Sequence, residues 1–488
     1  MKGKARIMIG LGLALILAAM TIAPGLAQST TKSLSTNFTL VNLGDGPAQG
    51  VIQYIKTDGT PWGSGSETFT ISSKGGQAIF RQYDLAGRPG NPNLTDGAGS
   101  VVISADQPLG AVVQILARNQ NPTSSGAYSG FTGGSTSYYV PLVARKLSTA
   151  TGIGNSQIIV QNAGNNAVNV EIELIKSDGS TTYTKSGISI QPGASYYYDL
   201  AQESPNNVPD GWYGSAVVRT TTTGGAIAVV SNFFTGDAMQ TFNAFSSASP
   251  TTRWFVPLFT SRLANGLSTP VAVQNLSGNT IPIGGVSLRC TPDPSLSGYT
   301  PFTKTNTTAI GNTAAYYFNP VVDTSIPQGF YGSCVVEASA NIVAFVQMRF
   351  VTTGEAAAYE AFPAGSTDTK VFIPLVAQRL ANGFATAVTI QNLSNETATF
   401  NLTYTRSPDC TVGPETYSPS PQTVGPYASL IQNHRTGVSG LVDGWFGTLT
   451  VHSDKPIAAF VQLTFLRNIN PNLPGGDNYM AHNAFTQP

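Results

Sequence analysis

Residues 255–266 read FVPLFTSRLANG and residues 372–383 read FIPLVAQRLANG, so one chain writes nearly the same twelve residues twice, 117 positions apart. A shorter copy, YVPLVARKL, occupies 139–147, with its proline 116 positions before Pro257. A period above 100 residues marks a duplicated domain rather than a short solenoid repeat. Proline has no N–H to give a central ladder and keeps to sheet edges or strand starts. The stretch therefore reads as an edge strand where one domain hands over to the next.

Each copy leads into a strand ending in Gln-Asn or its like: FTLVN (38–42), IIVQN (158–162), VAVQN (271–275) and VTIQN (388–392). The asparagines lie 120, 113 and 117 residues apart, which makes four repeats. VIQYIKTDGT (51–60) and VEIELIKSDGS (170–180) alternate with period two and end on Asp-Gly, a strong hairpin signal. A late landmark reads TDGAGSVVI (95–103), PDGWYGSAVV (209–218), PQGFYGSCVV (327–336) and VDGWFGTLTV (442–451), and three repeats close near Ala-Phe at Phe245, Phe362 and Phe485. Each repeat offers about seven short strands, the proportion of an immunoglobulin-like sandwich. The expected fold is all-β: four tandem sandwiches over 28–136, 137–250, 251–369 and 370–488, strung as a rod or arc. Trp212, Phe330 and Trp445 read as plugs beside the glycine turn.

Four repeats share only three proline stretches. Aligning FTLVN with VTIQN at a shift of 350 puts Pro374 opposite Pro24, inside the leader. Either the first domain starts without this strand or the last lacks its closing one, and an open edge invites pairing with another chain.

The leader is itself legible. MKGKAR is a basic n-region, IMIGLGLALILAAM an apolar core and Gly25-Leu26-Ala27 a small-residue cleavage site, the pattern of a secretory signal peptide over 1–27. The sequence predicts a secreted protein, extracellular or at the cell surface, with no membrane span after cleavage. Charged residues are 10% of the chain and cancel at 25 of each sign, so nucleic acid is not an expected partner and self-association is favoured. Of three cysteines, Cys290 and Cys334 fall in one repeat and form the candidate disulfide; Cys410 is left as a free thiol or an intermolecular bridge.

The grammar of PLV…R, VQN and GW/FYG elements resembles that of tandem immunoglobulin-like repeat proteins of bacterial cell surfaces, of S-layer or cell-wall-associated type. That resemblance spans residues 28–488 and implies a structural or adhesive role without naming a ligand.

Candidate chemistry is sparse. His434, His452 and His482 all lie in the last repeat and read as scattered surface residues rather than a metal site. Asp58, Asp178, Asp210 and Asp443 read as turn formers; no cofactor is expected, and calcium is the one ion they would suit. No GxSxG or HExxH motif occurs, and no repeat stands out as catalytic, so the chain is not read as an enzyme. Tyr196, Tyr198 and Tyr316 are candidate faces for stacking a glycan. Asn275, Asn306, Asn392 and Asn401 lie in glycosylation sequons. Arg145, Arg262 and Arg379 lie just beyond the proline stretch, where pairing with a neighbouring turn is the second reading and a solvated place the leading one. The leading function is a non-enzymatic surface-assembly protein partnered by itself or a cell-envelope polymer; the alternative is a secreted adhesin or carbohydrate-binding protein.

Overall fold

The computed structural model of the chain describes residues 14–17, 34–72, 76–82, 92–117, 121–365 and 368–486. Their regular structure is antiparallel β-strand with a single 3-10 turn at Leu200–Gln202. The second repeat shows the plan. One sheet orders Thr181–Ile190, Val168–Lys176, Trp212–Thr220, Ser137–Arg145 and Phe245–Ser246; the other runs from Gly152–Asn162 through Ile227–Thr235 to Ala238–Asn243, with Ser195–Asp199 on its far edge. In the third repeat the twenty-residue strand Tyr331–Phe350 serves both sheets and joins them.

The recurring motifs are backbone hardware. Asn42, Asn162, Asn275 and Asn392 are fully buried. Each accepts on Oδ1 from the N–H two residues on, and donates through Nδ2 to the carbonyl four residues on, at 2.6–2.8 Å. This is an Asx turn stapled shut. It also removes Asn275 and Asn392 from any glycosylating enzyme; Asn306 is equally buried, and only Asn401 of the four sequon residues is exposed. The glycine opening each GSVV-type strand is required by space. A Cβ on Gly99, Gly214, Gly332 or Gly447 would stand 1.9–2.3 Å from a carbonyl oxygen of the neighbouring strand. Trp212, Phe330 and Trp445 are buried beside these turns.

The edge-strand expectation is corrected: Phe245–Ser246, Phe362–Pro363 and Phe485–Thr486 pair with the outer side of the three proline strands. Pairing with the next strand slips at Val140/Val143, Val256/Phe259 and Ile373/Val376, a bulge at each PLV or PLF. Freed from the ladder, the proline carbonyls accept from the following repeat: Pro141 from Tyr317 Oη at 2.9 Å, Pro257 from Ser429 Oγ at 2.8 Å. Pro374 accepts from Gln77 Nε2 at 2.6 Å, and Gln77 belongs to the first repeat. The predicted rod or arc is thus corrected: the fourth repeat docks back on the first.

Four strands carry this closure, one per repeat: β1 (Ser125–Ser129), β2 (Ala238–Asn243), β3 (Ala356–Glu360) and β4 (Tyr479–Asn483). β1 packs on β2, β2 on β3, β3 on β4 and β4 on β1. They surround a pseudo-fourfold axis. Ring centroids of Phe242 and Phe345 of the next repeat lie 4.1 Å apart at a tilt, and Tyr359 stacks 4.0 Å from Phe460 of the next. Apolar cores accordingly run on from repeat to repeat, with Phe460, Tyr479 and Ala481 sharing the cluster of the first three repeats.

The signal-peptide reading falls outside the described residues except at Ala14–Leu17. That backbone pairs antiparallel with Gly99–Ala105, Leu17 opposite Val101, as Ile373 stands opposite Leu449 in the fourth repeat. The place of the missing PLV copy is filled by Ala14–Leu17 at an offset of 356 (373 minus 17), not 350, so this edge is paired.

The arginines are clamps, not solvated residues. Arg145 is 2% exposed and pairs with Asp210; Arg262 donates to the carbonyls of Pro320, Asp323 and Ile326; Arg379 pairs with Asp443, its Nε 2.7 Å from Oδ1. Each gathers carbonyls or a carboxylate of its own repeat's turn. Cys290 and Cys334, opposite each other on paired strands, are disulfide-bonded, and Cys410 is buried and free.

Closure predicts a radius of gyration near about 23 Å by small-angle scattering, the value for a compact chain of this length, where a rod would lie far above it. Asn275→Ala, which removes three hydrogen bonds of the buried Nδ2 amide, one of them fully buried, and one of Oδ1, should lower stability by about 3 kcal/mol in urea titration. Ser277→Ala, at the exposed turn tip, should change it by less than about 0.5 kcal/mol.

Candidate functional site: a funnel on the ring axis

β1 to β4 end on Ser129, Asn243, Glu360 and Asn483, at one register position: they face Val112, Val230, Phe345 and Phe460 on the preceding strands. These four form a hydrogen-bonded belt around the axis. Asn243 Nδ2 donates to Ser129 O at 2.8 Å, Ser129 Oγ to Asn483 O at 3.0 Å, and Asn483 Nδ2 to Glu360 O at 2.8 Å. The fourth link reverses: Asn243 N–H donates to Glu360 Oε1 at 2.5 Å. A carboxylate can only accept, so the main chain supplies the donor.

Above the belt opens a cavity of about 530 Å³. Its wall includes Phe245, Phe362 and Phe485, the closing aromatics of three repeats, with Trp254, Pro108 and Leu109. Glu360 is the sole ionisable side chain among the described lining residues. Burial pushes its carboxyl up to about 7, against the pull of the Asn243 N–H. The side chain keeps some exposure toward the funnel while protein surrounds it on the other sides. Concavity, apolar walls and a few convergent polar groups with a shifted pKa are the usual marks of a ligand site.

The opposite end of the axis is sealed. Asp477 is 1% exposed and accepts from Met239 N at 2.8 Å, Ala356 N at 3.1 Å and Tyr479 N at 3.2 Å. Its own N–H donates to Thr123 O at 3.0 Å, so one residue holds strands of all four repeats. Burial holds its carboxyl well above the ordinary range, although the three N–H donors oppose this.

The residues singled out from sequence lie elsewhere. Tyr198 is buried, with Lys185 over its ring and Glu203 Oε2 3.1 Å from its hydroxyl, which leaves no face for a sugar. Tyr196 and Tyr316 are half-buried and sit in different repeats, with the Tyr316 hydroxyl 3.2 Å from Thr307. Their neighbours Tyr197 and Tyr317 serve the ring joints, donating to Gly99 O and Pro141 O at 2.9 Å. Of the three histidines only His452 is exposed. His434 is fully buried between Tyr404 Oη at 3.2 Å and Thr386 Oγ1 at 3.4 Å. His482 occupies the β4 place that Tyr128, Phe242 and Tyr359 hold in the other ring strands, with Nδ1 2.9 Å from Asn483 O. Asp58 and Asp178 close their hairpins on Thr60 and Ser180, whose hydrogen bonds lower both carboxyls. No group of three or more His, Cys, Asp or Glu poised for a metal ion occurs among the described residues. No helix among them is long and apolar enough to cross a membrane.

The funnel floor was missed because its four residues are of three types, serine, asparagine twice and glutamate. One signal marks it: Ser129, Asn243, Glu360 and Asn483 each precede the closing pair, Gly-Phe in the first repeat and Ala-Phe in the rest.

No family model matches the chain, and no curated protein does. Among solved structures, "Crystal Structure of Thermotoga maritima 1070" is similar over 25% of this chain and 95% of that one, at 14% identity and a TM-score of 0.19. The C-terminal domain of the Streptococcus pyogenes antigen I/II-family protein AspA is similar over 48% and 99%, at 9% identity and a TM-score of 0.09. A chaperone–tip adhesin complex of CFA/I fimbriae is similar over 37% and 88%, at 10% identity and a TM-score of 0.10. At these scores none assigns a function.

The buried histidines set a pH dependence. Burial depresses His434 to about 3 and His482 to about 4, below the ordinary 6.5. Above pH 6.5 both states are neutral and the contribution is whole; as pH falls from 6.5 toward 4 and 3, the unfolded chain gains protons that the folded chain refuses. The raised Glu360, Asp199 and Asp477 carboxyls act in the opposite sense, since their folded forms bind protons more readily. Replacing His482 with Phe, the residue β2 carries, should therefore flatten the loss of melting temperature between pH 6.5 and 4 relative to the parent chain.

Proposed function

We propose that the chain is an extracellular, non-enzymatic surface protein of adhesin type that works as a rigid binding ring, with the axial funnel as its ligand site. The observation that carries this reading is the funnel: a cavity of about 530 Å³ with aromatic walls and a polar floor to which every repeat contributes. Rigidity supports it, because a belt and a buried core that run through all four repeats hold the floor in place before any ligand arrives. The non-enzymatic part rests on the floor's chemistry. It offers one carboxyl and no second acid, base or activated nucleophile within the described lining, whereas general acid–base and glycosidic chemistry call for a pair. The leader-like first 27 residues and the scarcity of charge support an extracellular place, in the company of tandem immunoglobulin-like surface proteins.

Self-assembly into a surface layer is the second reading, favoured by a charged fraction of 10%, which weakens repulsion between copies. One experiment separates the two. Ala484→Trp places an indole in the funnel wall. Binding of the purified protein to cell-envelope polysaccharide or a glycan array should be abolished in that variant, with its circular dichroism unchanged. Binding that survives the plug, together with ordered arrays of the parent chain in electron microscopy, would favour assembly instead.

A further inference from the structure

Hydrogen-bonding capacity at the funnel floor is lopsided. Both asparagine amides are fixed in orientation, since each Nδ2 already faces a main-chain carbonyl, Ser129 O or Glu360 O. Turning either amide over would bring oxygen against oxygen. Their Oδ1 atoms are buried and have no donor. Ser129 Oγ has given its proton to Asn483 O. Glu360 receives one main-chain N–H on Oε1 and has no cationic side chain beside it in the described lining. The floor keeps two amide oxygens, a carboxylate and the second N–H of each amide, and its one charged group, Glu360, is an acceptor. Those two oxygens are enclosed by protein, whereas Glu360 is part-exposed and lines the funnel, so a ligand there meets the carboxylate first.

Building on the binding-ring reading, we infer that the funnel takes a small primary amine with an apolar body, its ammonium seated on the Glu360 floor between Asn243 and Asn483. Three features select this class. A primary ammonium carries three donors and no acceptor, the partner a carboxylate calls for. Its charge answers the one carboxylate in a wall of otherwise neutral residues. The rings of Phe362 and Phe485 line the funnel above, where the ligand's carbon body is desolvated and the cation meets aromatic faces. A carboxylate ligand would meet like charge. An alcohol of the same shape would satisfy acceptors without answering the charge. A divalent ion would find one carboxyl where oxygen-rich cages supply several.

The test is calorimetric titration of the full chain with phenethylamine and hexylamine, set against 2-phenylethanol and hexanoate. The amines should bind at least about tenfold more tightly than either control, and Glu360→Gln should weaken them by roughly tenfold or more. That substitution keeps an oxygen for the Asn243 N–H, so the variant should fold with an unchanged dichroism spectrum. In the parent chain, affinity should fall between pH 8 and pH 6, as the Glu360 carboxyl, pushed up to about 7, takes a proton and loses its charge. Equal affinity for amine and alcohol, parent-like amine binding by Glu360→Gln, or no amine binding at millimolar concentration would each overturn the assignment. Should a neutral ligand bind the parent and be lost in Ala484→Trp, the ring's binding role stands and the ammonium assignment falls. Should no ligand of any class distinguish open from plugged funnels, both fall.

Discussion

Everything in this molecule hangs on the return contact between the first and fourth repeats. Four joints arranged about one axis must add up to a full turn, so none can be set independently of the others. Three joints use the carbonyl of the bulged proline: Pro141, Pro257 and Pro374. The remaining one, between the first and second repeats, has no such proline and is made by Tyr197 on Gly99 O and Ser100 on Gly193 O. At the sealed end Asp477 takes N–H groups from the second, third and fourth repeats while its own N–H reaches the first. A carboxylate deprived of water holds its place only through such donors, and here those donors come from separate parts of the chain.

Much of the local structure could be read from residues alone. The Asx staple after VQN, the hairpin at Asp-Gly and the glycine of GSVV each follow from one residue's stereochemistry, which is why they recur where the sequence recurs. Proline suggested an edge strand; the structure instead puts a bulge at each copy and a short strand on its outer side. What the reading lacked was the destination of the freed carbonyl, because the partners differ: Tyr317, Ser429 and Gln77. An acceptor on the main chain leaves no trace in composition, and a donor that is tyrosine once, serine once and glutamine once leaves no pattern.

The same reasoning explains the histidines. His452 follows the outward alternation of its strand and was legible. His434 and His482 looked like surface residues because histidine is polar, yet both are enclosed by packing between strands far apart in sequence. Burial of His482 belongs to ring closure, since β4 meets β1 across more than 350 residues (479 minus 125). The funnel was hidden for that reason too: its floor exists only once four distant chain segments converge.

Fusion of the four repeats into one polypeptide has a consequence that assembly from separate identical subunits would not permit. A true homotetramer repeats every axial residue four times, and four carboxylates converging on one axis would repel one another and shed their charge by protonation. A single chain escapes that symmetry. It sets Ser129, Asn243, Glu360 and Asn483 at equivalent stations, so the funnel end of the axis carries one carboxyl instead of four. Covalent continuity has turned a fourfold scaffold into a directional one, with its carboxyl on one side only.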